Sequence, residues 1–174
     1  MSKGRRILGI DPGSNRTGYG IIEVLSPSRV LHVTHGHILV RGEEVNIKLF
    51  QIYQKIAEII RDYQPEEAAI EQVFVNNNPQ SALKLGQARG AALTAAGEYG
   101  LVLAEYSPRK IKQSVVGYGN AAKNQIQMMI KALLKMPAMP QEDAADALAV
   151  ALCHGYHRTA NISKEGTVCT SSSR

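Results

Sequence analysis

The spacing of apolar residues changes character near residue 45, and that change constrains the fold more than any other feature. Before it lie three extended stretches, Arg5–Asp11, Tyr19–Leu25 and Val30–Val40. They are separated by the turn sequences Asp11-Pro12-Gly13-Ser14 and Ser26-Pro27-Ser28, where Pro suits the second turn position. After it, Leu49, Ile52, Tyr53, Ile56, Ile59, Ile60 and Tyr63 recur at helical spacing, so Val45–Tyr63 reads as an amphipathic helix stopped by Pro65. Strand and helix then alternate: Glu67–Val73 extended, 80–97 helical, Leu101–Tyr106 extended, a short helix opened by Ser107-Pro108, then helices over 121–135 and 141–157. An antiparallel meander followed by alternating elements predicts an α/β fold, a mixed sheet of about five strands with helices on both faces.

Length and composition support one core. The 174 residues suit a single domain, placed at 1–157, with a polar, Ser-rich tail at 158–174 expected to be disordered. With seven Tyr, two Phe and no Trp, aliphatic side chains must build the interior. Asp11, Pro12 and Gly13 break the first apolar run too early for a secretion signal, and no stretch approaches ~18 unbroken apolar residues. The two cysteines, Cys153 and Cys169, make no disulfide framework. A cytoplasmic protein is the expectation.

Charge is distributed unevenly. Residues 106–141 carry six cations (Arg109, Lys110, Lys112, Lys123, Lys131, Lys135) and no acid. Such a patch is the footprint of a polyanion binder, although cations also simply solvate helix surfaces.

Against this background four acids stand where acids are costly. Asp11 ends the first strand, Glu71 sits within Ala68-Ala69-Ile70-Glu71-Gln72-Val73, and Asp143 and Asp146 share one face of the last helix. Each has a plainer reading. Asp11 can shape its turn, Glu71 can sit at an exposed strand end, and Asp143 can favour a helix N-terminus. Asp146, past the first turn among small apolar residues, fits its plainer reading least. If the four converge, their repulsion calls for a cation, and hard oxygen donors select Mg²⁺ or Mn²⁺. A carboxylate site for two ions ~4 Å apart beside a basic surface suits phosphodiester hydrolysis.

Five stretches then carry a resemblance: ILGIDPGSNRTGYGII (7–22), AIEQVF (69–74), SALKLGQARGAA (81–92), KQSVVGYGNAAK (112–123) and EDAADALAVAL (142–152). Together they closely resemble the RuvC family of crossover junction endodeoxyribonucleases, the bacterial Holliday junction resolvases. The resemblance implies a ribonuclease H-like fold and a homodimer acting on four-way junction DNA, in cooperation with RuvA and RuvB. It places the family's four catalytic acids on Asp11, Glu71, Asp143 and Asp146. It further implies that Phe74 meets bases near the junction centre and that Lys112 and Lys123 meet DNA beside the active site. Lys84 and Arg89 are phosphate-contact candidates on the helix at 80–97.

Two other functions compete. Gly9-Ile10-Asp11-Pro12-Gly13 is also similar to the phosphate loop of actin-like ATPases and sugar kinases, but 174 residues leave no room for their second lobe. A non-catalytic junction-binding protein is the other, and retention of all four acids counts against it. Other features point less far. His35 and His37 are expected to share a strand face without His32; Cys153, His154 and His157 lack a four-ligand zinc set; His154, two turns beyond Asp146, could face the acids. The small residues Ala82, Gly86, Gly90 and Thr94 suggest close approach to the sheet or to a second subunit.

Overall fold

The computed structural model describes residues 4–73 and 78–165. Three strands, β1 (Arg5–Asp11), β2 (Arg16–Ser26) and β3 (Arg29–Leu39), form the expected antiparallel meander. Helix α1 (Val45–Tyr63) then crosses to β4 (Glu67–Glu71), which pairs parallel to β1. Helix α2 (Pro79–Glu98) leads to β5 (Val102–Tyr106), parallel to β4. Helices α3 (Pro108–Val116), α4 (Lys123–Leu133) and α5 (Glu142–Glu165) complete the chain. The sheet order is β3-β2-β1-β4-β5, which puts β1 and β4 side by side in the interior of the sheet.

Strand alternation sorts side chains into two cores. Leu8, Ile10, Ala68 and Ile70 face α1 and α2, where Ile52, Ile56, Ile60, Ala88 and Ala92 meet them. Ile7, Ile22, Ala69 and Tyr106 face α3, α4 and α5. Helix α1 ends as its sequence demands. Gln64 takes a left-handed conformation (φ 48°), its N–H bonds the Ile60 carbonyl, and Pro65 follows.

Helix α5 lies directly on the sheet because the strands beneath it carry glycine. A Cβ on Gly9 would stand 2.0 Å from the Ala147 carbonyl oxygen and 2.8 Å from the Ala151 nitrogen. These are backbone atoms of a packed helix and have nowhere to go. Gly9→Ala is expected to cost ~3 kcal/mol or more, at the upper end of overpacking effects, read as a lower urea midpoint.

Three local expectations change. Helix α5 continues past His157 to Glu165, and on it Arg158 pairs with the buried Glu67 carboxylate (2.9 Å), a contact that apolar periodicity does not reveal. Residues 166–174 lie outside the described residues. In α2 the buried face is Ala88, Ala92, Ala95 and Ala96, whereas Gly86 and Gly90 are exposed and a Cβ on either would meet nothing within 4 Å, so the sheet does not account for them. In β3 a bulge skips Val33: Thr34 pairs with Ile21 but His32 with Ile22. The extra residue reverses the alternation, bringing His32 Nε2 within 2.8 Å of His35 Nδ1.

Candidate active site

The register of the sheet brings the first two acids together. Ile10 of β1 is paired with Ile70 of β4, so Asp11 and Glu71 follow side by side at the strands' C-terminal ends. Ile10 and Ile70 point to the α1/α2 core, and alternation turns Asp11 and Glu71 toward α5. The start of α5 arrives there. Gly18, the β2 partner of Asp11, is so close to α5 that a Cβ would stand 2.0 Å from the Asp143 carbonyl oxygen. The acids at 143 and 146 therefore open a helix that begins over Asp11. The turn after Asp11 is pinned by fully buried Thr17, whose hydroxyl donates to the Gly13 carbonyl (3.1 Å) and accepts from the Gly13 N–H (3.4 Å).

Electrostatic coupling follows this geometry. Burial, then Asp146, Glu71 and Asp143, push the Asp11 pKa from 3.8 up to about 8, with Lys123 acting against them. Burial and Asp146 likewise raise Glu71, while Lys112 and Lys123 pull it down. Burial raises Asp146; Lys123 and Lys112 oppose that, and Glu142 and Asp143 add to it. The four acids and two lysines thus act on one another as a single site. Lys123 Nζ donates to the Glu142 carboxylate, an interaction that raises the lysine's own pKa.

The remaining predicted residues are dispersed. Lys84 lines a groove with Ser14, Asn15, Glu43, Lys48 and Gln87, on the α1/α2 side of the sheet. Arg89 is held by Glu105 of β5 (2.7 Å) and is only 19% exposed, so it is a structural ion pair rather than a free surface cation. Phe74 lies outside the described residues. His154 points away from the acids: its Nε2 bonds Glu67 at the opposite end of β4. Sequence reasoning passed over Arg16, whose Nη1 stands 3.9 Å from the Asp143 carboxylate, and the Lys123 partner Glu142. Arg16's signal was its place just across the tight turn from Asp11; Glu142 had none, because its partner is 19 residues away.

The donor set fits a divalent cation. It is all carboxylate oxygen, partly buried, and like-charged enough to hold a proton on Asp11 well above the usual carboxylate range. Among the described residues no three Asp, Glu, His or Cys side chains close round a single ion position, so the fit rests on donor chemistry and mutual repulsion.

That repulsion is measurable. Between pH ~4 and ~8 the folded metal-free protein keeps a proton on Asp11 that the unfolded chain has released, so folded-state stability falls as pH rises through that window. The slope from this group is at most ~1.4 kcal/mol per pH unit. Urea midpoints in chelator are expected to drop from pH 5 to pH 8, and Asp11→Asn is expected to flatten the drop.

Comparison with known proteins decides the family. The family model for crossover junction endodeoxyribonuclease RuvC matches residues 7–154. The chain belongs to the RuvC family. A crossover junction endodeoxyribonuclease RuvC of Tolumonas auensis is 56% identical over 162 residues, covering 93% of each chain. That of Geobacter sulfurreducens is 52% identical over 86% of this chain and 91% of its own. Among solved structures, Thermus thermophilus RuvC in complex with a Holliday junction substrate superposes with a TM-score of 0.85 at 30% identity, covering 90% of this chain and 96% of that one. The yeast mitochondrial Holliday junction resolvase Ydc2 shares the fold, with a TM-score of 0.59 at 14% identity. The protein is a RuvC-type nuclease of the Holliday junction resolvase family with a ribonuclease H-like fold, and the ATPase and non-catalytic alternatives fall away. Among the described residues no helix is long and apolar enough to cross a membrane.

Proposed function

We propose that Asp11, Glu71, Asp143 and Asp146 form the hydrolytic centre of this RuvC-family enzyme, binding one or two Mg²⁺ or Mn²⁺ ions. The reading rests above all on one observation: the β1–β4 register sets Asp11 beside Glu71, and Gly18, the partner of Asp11, lets the start of α5 with Asp143 and Asp146 close over them. When bound, the divalent cation supplies an activated water and neutralises charge on the scissile phosphate. The protein's own part is positional. The paired ends of β1 and β4 present Asp11 and Glu71, and the start of α5 lowers Asp143 and Asp146 onto them. Water oxygen bonds to phosphorus as the P–O3′ bond breaks, and the departing oxygen takes up a proton. The products are 5′-phosphate and 3′-hydroxyl ends. Lys112 and Lys123 flank the acids and offer positive charge to the phosphate, while Lys84, in the groove on the α1/α2 side of the sheet, is proposed to meet a more distant phosphate. Phe74 follows Glu71 closely in sequence and is proposed to stack on an unpaired base. Arg89, held by Glu105, contributes to that surface only if DNA draws it from its partner.

Four-way junction DNA is the proposed substrate, supported by the junction complex of the Thermus relative. Symmetric cuts in strands of like polarity require two sites related by a two-fold axis, so a homodimer is proposed, with exposed Gly86 and Gly90 available for close subunit approach. RuvA and RuvB are the proposed partners and the cytoplasm the proposed location. The test is incubation with a synthetic four-way junction and Mg²⁺. Paired nicks in the junction are expected, with linear duplex left intact; equal cutting of both would remove junction specificity.

A further inference from the structure

A second polar cluster lies at the far end of the elements that carry the acids. Glu67 opens β4, four residues before Glu71, and its side chain is only 4% exposed. Its Oε1 accepts from Arg5 Nη1 (2.8 Å) and pairs with Arg158 Nε (2.9 Å); its Oε2 meets His154 Nε2 (2.7 Å). On the other side of the ring, His154 Nδ1 lies 2.9 Å from the Tyr106 hydroxyl. Burial holds the Tyr106 pKa up to about 12, so this hydroxyl keeps its proton and donates to Nδ1. With Nδ1 accepting from that hydroxyl, Nε2 carries the hydrogen shared with Glu67.

These contacts join a particular set of elements. Arg5 belongs to β1, Glu67 to β4, Tyr106 to β5, and His154 and Arg158 to α5. Three of those elements carry the four acids. From the cluster to the acids is eight residues along α5, from His154 to Asp146, or ~12 Å at helical rise. It is four residues along β4, from Glu67 to Glu71, or ~13 Å at strand rise. Cluster and acids are therefore two rungs on the same two rails. Between the rungs Gly9 lies against Ala147 and Ala151 and Leu148 sits over Gly20, apolar packing that is non-directional. Directional bonds to a buried carboxylate do resist sliding. Stability alone is a poor reason to bury such charges, since well-packed apolar replacements are often as stable, whereas fixing a register is a well-attested use.

We propose that Glu67 and His154 are positioning residues that set where α5 lies along β4, and so where Asp143 and Asp146 stand relative to Glu71. The proposal rests on the assignment of those acids to the hydrolytic centre. Its test compares His154→Ala, Glu67→Gln and His154→Gln proteins with wild type. Single-turnover cleavage of saturated junction is expected to fall ~10- to 100-fold for His154→Ala and Glu67→Gln. Calorimetric binding of Mn²⁺ alone should weaken ~10-fold or more. Junction binding in chelator should stay within about twofold, because it rests on surface cations. His154→Gln, whose amide can still donate to Glu67, should recover much of the rate. In isotope-labelled protein the amide signals of Asp143 and Asp146 should move in the variants that break the bond and stay near wild type in His154→Gln. Wild-type cleavage, Mn²⁺ affinity and amide signals in folded His154→Ala would overturn the proposal and leave the cluster a stabilising role only. Should His154→Ala fail to fold, Tyr106→Phe removes just one hydroxyl; unmoved amide signals at residues 143 and 146 together with unchanged Mn²⁺ affinity would overturn the proposal equally. Asp146→Asn separates the two readings. Cleavage by that protein would refute the acid assignment, while the amide signals still report whether Glu67 and His154 position α5.

Discussion

Asp146→Asn is expected to lower the saturated cleavage rate by at least ~10³-fold, about 4 kcal/mol of transition-state stabilisation, with junction binding retained. Asp11→Asn, Glu71→Gln and Asp143→Asn should behave alike. Each substitution keeps side-chain volume and removes one anionic oxygen donor, so the loss falls on cation placement rather than on packing. Binding survives because it depends on cations such as those between residues 106 and 141, and removing an acid only makes the surface more positive. A second readout separates this from misfolding. Asp146 is, after burial, the leading cause of the raised Asp11 pKa, so the neutral Asn relieves repulsion. In chelator near pH 8 the Asp146→Asn protein should unfold at higher urea than wild type. Near-wild-type nicking by this protein would remove residue 146 from the centre.

Lys112→Ala and Lys123→Ala are expected to reduce single-turnover cleavage of bound junction by ~100-fold each. A lysine that only meets a phosphate would instead weaken binding and flatten its salt dependence by about one charge, leaving the saturated rate alone. Electrostatic coupling argues for the first pattern. Lys123 acts on Asp11, Glu71 and Asp146, and Lys112 acts on Glu71 and Asp146, so both stand within electrostatic reach of the acids proposed to hold the hydrolytic centre. Lys123 is exposed and, among the described residues, tethered through Glu142, free to exchange that carboxylate for a phosphate. Its loss also removes a charge that lowers the Asp11 pKa, so in chelator the fall of the urea midpoint with pH should extend to higher pH. A saturated rate equal to wild type would assign either lysine to the binding surface alone.

Much of the architecture is legible in the sequence. The change of apolar period at residue 45 located the meander and α1, and the alternation that followed located β4, α2 and β5. The acids were legible for a related reason: a carboxylate set among Ile and Ala at a strand end, or inward on a helix, departs from the local pattern and has to be accounted for. Less legible were features whose causes lie across the fold. The bulge at Val33 depends on how β3 pairs with β2, so strict alternation misassigned His32. The pairing of Arg158 on α5 with Glu67, 91 positions earlier in the chain, likewise has no local signal.

The sequence by itself determined the order and type of elements, the four candidate acids and the basic stretch after residue 106. All of these depend on what a residue's near neighbours are, because periodicity, turn chemistry and charge are local. Tertiary structure alone decided which distant groups meet. It placed Asp11 beside Glu71 through strand register, brought Asp143 over Gly18 because glycine leaves room for a helix there, and turned His154 toward Glu67 rather than the acids. It also tied Arg89 to Glu105, where the sequence offered only a cation on a helix. Contacts between residues far apart along the chain carry no local signature, since their energies are realised only once the sheet and helices have packed.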